Sequence, residues 1–301
     1  MPSATGIYVD TKLFGVRVVL SGDDPLILQA AASLFTDGHD NTGCALSVTL
    51  HLRAYDVNHP TEDAMEVTSS CLRLVQGGMI GYADGVRGEG RCEYPADGSG
   101  EDAFASVVEA LLLFLVAHAG RIPLHASAVM FGETAIILAG RSGMGKSTLA
   151  LTADRMGLPI LSDDTIYVEA VPLCIWAAPR AIHVFEKDAP AGTTGTMRFR
   201  SGRWKRALPV TRPRRVAKRS LLCVLERGGI ARLTPMDGTG AVAALTAMPE
   251  PGYEFYGDRS AMAIRALAAD GCWRLTLSHD PSAAIALLTQ AFNSLGEVVP
   301  A

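Results

Sequence analysis

Apolar and polar positions follow two different patterns along the chain, and the change falls near residue 120. In the first part, Ile7–Leu20 is a strand-like stretch, and the Ala/Leu-rich segment Pro25–Phe35 predicts a short helix. Alternation over Ala45–Leu52 predicts a strand. Residues 54–100 are rich in Asp, Gly and Pro with brief apolar interruptions, the composition of hairpins and loops. Glu101–Ala119 is the best-marked helix of this half: Glu101 and Asp102 suit the positive end of its dipole, and His118 and Gly120 suit its end. A domain boundary is expected there, with an α+β unit over 1–120 and a second unit over 121–301. The residues of the first unit assign it no role.

From Leu124 the pattern changes. Ala126, Ala128 and Met130 alternate with Ser127 and Val129, then Gly132-Glu133 separates them from the apolar run Ala135–Ala139. Two strand-like runs joined by two residues led by Gly predict a tight hairpin. In that register Phe131 faces Thr134 and paired positions sum to 265, which sets His125 opposite Gly140. A helical pattern through Leu149, Leu151 and Met156 ends at Gly157. Strands are expected at Leu158–Ser162, Ile166–Val168, Cys174–Ala177 and Leu221–Leu225. A last helix opens on Asp280 and Pro281 and runs to Gly296. Alternating strands and helices make this half α/β.

Composition narrows the class. The 301 residues are 49% hydrophobic and 19% charged, enough apolar material for two cores and too much for disorder. The longest uncharged apolar run, Ala110–Ala117, is far short of the ~20 residues of a membrane span, so no membrane partner is expected. The opening MPSATGIYVDTKLFG lacks the basic and apolar regions of a signal peptide. The six cysteines are scattered without CxxC or zinc spacing and read as reduced core thiols of a cytoplasmic protein. The net charge of −4 argues against a nucleic-acid-binding chain as a whole, yet residues 1–124 hold 7 Lys/Arg against 16 Asp/Glu and residues 125–301 hold 20 against 15. A homo-oligomer stays open.

Chemistry enters at Gly140-Arg141-Ser142-Gly143-Met144-Gly145-Lys146-Ser147, a full GxxxxGK[ST] motif followed by Thr148, with an apolar strand before it and a helix after it. Glycines at 140, 143 and 145 let backbone N–H groups converge on phosphate oxygens at a helix N-terminus. Lys146 is expected on the β- and γ-phosphates, and the Ser147 hydroxyl on Mg²⁺, so ATP and Mg²⁺ are the expected cofactors. Asp163-Asp164 follows Lys146 by 17 and 18 residues at the end of a short apolar strand. Adjacent carboxylates point to opposite sides of a strand, so one can address the metal and the other an incoming hydroxyl. This short spacing favours a kinase over an ATPase switch or a non-catalytic nucleotide-binding regulator. His125, beside the first loop glycine, suits a phosphate contact or a partner for Asp163.

His125, the hairpin, GRSGMGKS and LSDD together resemble the HPr kinase/phosphorylase family, over roughly 120–190. The resemblance implies a P-loop kinase core, a mixed sheet flanked by helices, beside the separate α+β N-terminal domain. It implies Asp163 as catalytic base toward a seryl hydroxyl with His125 as its neighbour, Lys146 on the phosphates, and Ser147 and Asp164 on the metal side. The family's Glu-Ile-Arg-Gly signature has no counterpart, since residues 181–192 read AIHVFEKDAPAG. Phosphorylase activity and HPr as substrate are therefore not implied, and an HPr-type carrier kinase is the second alternative. The pattern is more similar to stand-alone kinases of this family that phosphorylate a serine of a lasso-peptide precursor, so the implied partner is a peptide or small-protein acceptor. Phosphoenolpyruvate carboxykinase shares a similar loop, but its further substrate and metal motifs are not evident.

Met197–Ser220 holds ten Lys/Arg and no acid. It reads as a solvated loop, as a nucleic-acid surface with Phe199 and Trp204 stacking on bases, or as a mobile basic lid over 188–220 that meets phosphates or the acceptor. The Gly/Thr-rich lead-in at 191–196 favours the lid.

Overall fold

The computed structural model describes residues 7–34, 46–55, 62–98, 101–178, 181–186, 189, 195–200, 203–247 and 256–292. The expected ends of the first and last helices at Phe35 and Gly296, together with Cys44, Ala45, the start of the basic lid at 188 and residues 190–194 and 201–202, lie outside them. The chain divides into two compact units, Met1–Arg121 and Ile122–Ala301.

The first unit opens with β1 (Ile7–Leu13) and β2 (Val16–Gly22), an antiparallel pair, where the sequence reads as one strand. The break is at Phe14-Gly15, whose φ angles of 51° and 72° are left-handed and turn the chain back. Next come α1 (Pro25–Ser33), capped by Asp24, and β3 (Ser47–Tyr55). Then β4 (Ala64–Val67), β5 (Cys71–Gln76), β6 (Met79–Asp84) and β7 (Glu89–Pro95) form an antiparallel meander, followed by α2 (Glu101–His118). The seven strands form one sheet in the order β1-β2-β3-β7-β6-β5-β4, and both helices pack on it.

The second unit contains β8 (Ile122–Phe131), β9 (Thr134–Ala139), α3 (Lys146–Arg155), β10 (Ile160–Ser162), β11 (Thr165–Ala170), β12 (Leu173–Trp176) and β13 (Ile182–Val184). It continues with β14 (Thr196–Arg200), β15 (Arg203–Leu208), β16 (Val216–Ala217), β17 (Arg219–Arg227) and β18 (Arg232–Pro235). It ends with α4 (Gly238–Thr246), α5 (Gly257–Leu267), β19 (Cys272–Leu277) and α6 (Pro281–Phe292). Its main sheet runs β16-β12-β11-β8-β9-β17-β19-β18, with β10 also on β8. The β9–β17–β19 part is parallel and the rest antiparallel, so the sheet is mixed.

Two apolar faces cover that sheet. Val129, Phe131, Ile136, Leu138, Cys223 and Leu275 form one core with Leu149 of α3 and Ile285 and Leu288 of α6. The alternate positions Ala128, Met130, Ile137 and Leu222 are equally buried, and α5 packs on β8, β11 and β17. The five described cysteines are free thiols, and burial pushes Cys92 up to about 12 and Cys272 up to about 11. Those two stay protonated, as core thiols do.

A separate three-stranded sheet, β13-β15-β14, carries half of the basic segment, which is therefore not a solvated loop. The rest of that segment is stitched into the main body and does not belong to a free lid. Ile160 exchanges backbone hydrogen bonds with Arg212 and Arg214, at 2.9 and 2.8 Å, and Ala177 N–H donates to Arg215 at 3.0 Å. Buried Asp154 of α3 accepts from the Thr211 N–H at 2.9 Å and from its hydroxyl at 2.8 Å. The stretch from residue 211 is therefore no part of the lid expected over 188–220. Removing the buried Asp154 carboxylate breaks two hydrogen bonds to a charged acceptor, so Asp154→Ala is expected to lower the unfolding free energy by about 1.5–3 kcal/mol in chemical denaturation, with Asp154→Asn losing less.

Candidate functional site

The glycine-rich loop joins the C-terminal end of β9 to α3. Gly143 and Gly145 have φ of 78° and 111°, and Gly145 is the helix N-cap with no side-chain cap. The first intrahelical bond is Leu149 N–H to Gly145 O at 2.9 Å, so helix geometry gives the N–H groups of the first turn no intrahelical acceptor. A Cβ on Gly143 would meet no heavy atom within 4 Å, whereas one on Gly140 would sit 3.2 Å from Leu225 Cβ. The loop is thus open at its tip and tight at its base. Lys146 is buried, and its ammonium donates to the Gly140 and Arg141 carbonyls at 2.6 and 3.1 Å. Arg227, at the end of β17, donates to Gly143 O at 2.8 Å.

The two aspartates lie between β10 and β11, which pair in turn with the same edge of β8. Ser162 faces Ala128 and Thr165 faces His125, so Asp163 and Asp164 span the stretch opposite Ala126 and Ser127. Ala126 in turn faces Ala139, the residue before the loop. The aspartates therefore lie two strand spacings, about 10 Å, from the loop's first residue. As the sequence expects, they follow the end of a short strand, β10. They occupy a break within an antiparallel edge of the mixed sheet.

Their surroundings differ. The Asp163 side chain is 4% exposed, and its Oδ2 accepts from the His183 N–H at 2.8 Å, with the His183 Nδ1 at 3.8 Å. Among the described residues its Oδ1 is buried with no hydrogen-bond partner, and the Ser127 hydroxyl pins its backbone carbonyl. The Asp164 side chain is 57% exposed and lies 3.3 Å from His125 Nδ1. Its backbone N–H donates to the Ser162 hydroxyl at 3.3 Å. The sequence expectation set His125 beside Asp163; the carboxylate within 3.3 Å of its ring is that of Asp164, and the imidazole against Asp163 is His183. His125 still lies at the loop's flank, since Ala126 beside it pairs with Ala139.

His183 and Arg227 escape sequence reasoning for different reasons. His183 acts through its backbone N–H, which carries no residue-type signal, from 20 residues away. Arg227 was readable: it closes an apolar strand beside β9, and strand ends on that side border the loop.

The residues fit a nucleoside triphosphate with its metal. An open loop tip and a helix start without a side-chain cap suit phosphate oxygens, and the Ser147 hydroxyl and Asp164 carboxylate are the hard oxygen donors that Mg²⁺ takes. No group of three or more His, Cys, Asp or Glu side chains forms a metal cluster among the described residues.

No protein-family model matches the chain, and no curated protein matches it. Among solved structures, the chain is similar to the Hpr(Ser) kinase/phosphatase from Coxiella burnetii at 13% identity and a TM-score of 0.31, covering 58% of this chain and 98% of that one. That is a distant structural relationship, too slight to argue from. No described helix is long and apolar enough to cross a membrane.

At Gly145 the left-handed backbone, and not space, excludes a side chain, because the nearest atom to a Cβ is Leu277 Cδ1 at 3.6 Å. Gly145→Ala is expected to cost about 1–2 kcal/mol of stability in thermal or chemical unfolding through backbone strain alone.

Proposed function

We propose that this protein is an ATP-dependent kinase that transfers the γ-phosphate to a serine hydroxyl of a peptide or small protein. The observation that carries the reading is Asp163: a buried carboxylate with one oxygen fixed by a backbone N–H and the other without a partner among the described residues. Burying a carboxylate costs several kcal/mol unless its oxygens are matched, and strain of this kind concentrates at reacting centres. The unmatched oxygen is an acceptor in waiting for a hydroxyl proton.

In the proposed reaction Asp163 Oδ1 accepts the proton of the serine hydroxyl as its oxygen bonds to the γ-phosphorus. The bond from that phosphorus to the bridging oxygen breaks, and ADP leaves. Lys146 exchanges the loop carbonyls for phosphate oxygens, and the first-turn N–H groups of α3 receive the rest of the phosphate charge. Mg²⁺ held by Ser147 and Asp164 supplies charge neutralisation. His125 orients the Asp164 carboxylate from 3.3 Å. A peptide precursor of the lasso type is the acceptor that the sequence resemblance suggests.

The test is acceptor-dependent ADP release over a panel of serine peptides, with mass spectrometry of the product and nucleotide affinity measured separately. Asp163→Asn is expected to lower transfer by at least ~10²-fold while ATP still binds. Near-wild-type turnover by that variant sinks the assignment. His125→Ala, acting through a metal-side carboxylate, is expected to lower turnover about 10–100-fold and to change nucleotide affinity less.

A further inference from the structure

Strand β17 leaves the core beside the glycine-rich loop and ends in a cation. Leu221, Cys223 and Leu225 belong to the core under α3, so strand alternation brings Arg227 to the same face. Val224 pairs with Ala139, the last residue of β9. Arg227 therefore stands three residues, about 10 Å, beyond the level at which the loop begins. Its backbone is held there, because Arg227 pairs with Leu277 of β19 and the next residue, Gly228, donates its N–H to the Leu277 carbonyl at 2.9 Å. Leu277 also closes on the other end of the loop, where a Cβ on Gly145 would sit 3.6 Å from its Cδ1.

The Arg227 side chain is exposed, and its Nη2 donates to the Gly143 carbonyl at 2.8 Å. A guanidinium carries five N–H donors in a planar fork, so this one bond leaves most of the fork at the loop's open tip. Among the described residues no carboxylate pairs with it. The neighbouring Glu226 lies on the opposite face of β17, accepts from the Thr276 hydroxyl at 2.8 Å and stands 3.4 Å from Arg274. Other exposed arginines of this unit have such a partner, as Arg219 has Asp270. A permanent cation with one neutral carbonyl for company, bordering an anion-binding loop, is matched to a phosphate, whose oxygens suit the fork two at a time.

Resting on the kinase reading, we infer that Arg227 binds the β-phosphate of the nucleotide and stabilises the charge that gathers there as the γ-phosphoryl group leaves. The strand order decides which phosphate. Asp163 lies beyond β8 on one side of β9, and Arg227 lies on β17 on the other. In phosphoryl transfer the attacking and leaving oxygens stand roughly in line on opposite sides of the phosphorus. With Asp163 on the attacking side, the bridging oxygen and the β-phosphate face the β17 side. When the bond from the γ-phosphorus to that oxygen breaks, its electron pair stays on the oxygen. The negative charge of ADP then grows on the side where Arg227 stands.

The test uses the full chain with Arg227→Gln, which removes the charge, and Arg227→Lys, which keeps it without the fork. Affinities for ADP and for ATP are read by calorimetric titration without an acceptor, and kcat from transfer to a serine peptide. The β-phosphate is terminal in ADP and carries one negative charge more there than in ATP. Arg227→Gln is therefore expected to weaken ADP at least tenfold and ATP no more than about threefold, with the Tm unchanged. It is expected to lower kcat at least ~10²-fold, and Arg227→Lys to recover part of both losses. ADP and ATP weakened alike, with Lys no better than Gln, marks a brace for the loop and overturns the inference. Affinities indifferent to both variants overturn it too. ADP affinity that depends on Arg227 without transfer to any peptide counts against the kinase reading and leaves the phosphate contact standing. Transfer undiminished by Arg227→Gln counts against Arg227 and not the kinase, and a wild-type chain that binds neither nucleotide overturns both.

Discussion

Strand β8 sets the geometry on which the second unit depends. One of its edges carries β9, which ends in the glycine-rich loop; the other carries β10 and then β11, with Asp163 and Asp164 at the break between them. A single backbone ladder therefore fixes the separation between the loop and both carboxylates. A slip of one residue would turn every side chain of β8 to the opposite face. That is prevented by a two-residue turn at Gly132-Glu133 and by apolar burial on both faces. The precision of the site comes from ordinary sheet pairing, and only the loop needs special backbone angles.

That register was legible in the residues, because a two-residue turn leaves no freedom: Phe131 faces Thr134 and Ala126 faces Ala139. The loop and the acid pair were legible for the same kind of reason, as fixed spacings with a physical cause. The break of the first strand at Phe14 was not, since that residue is fully buried and simply continues the apolar run. The role of His183 was invisible, because a backbone N–H looks the same in every residue but proline. The strands of the basic segment were hidden by charge, for Arg and Lys at alternate positions give no apolar period to count.

The charge asymmetry of the sequence acquires a location in this fold. The excess cations of the second half divide between a stretch stitched to Ile160 and Asp154 and a hairpin on its own small sheet. The first group includes Arg219, 3.9 Å from Asp270, and Arg212, whose guanidinium donates to the Gly157 carbonyl at 2.9 Å. Pairs as exposed as Arg219 and Asp270 stabilise little.

One arrangement in the second unit goes against local stability: Asp163 buries an oxygen to which no described residue donates. Its other oxygen is held by the N–H of His183, on a three-residue strand that belongs to the small sheet β13-β15-β14 and not to the main one. Two ladders therefore meet at this carboxylate. The pairing of β10 and β11 on β8 sets where Asp163 sits relative to the glycine-rich loop, and β13 sets which of its oxygens is bonded and which is left open. A carboxylate fixed from two sheets keeps its orientation without a side-chain partner on both oxygens, which is what leaves one of them open at so little exposure.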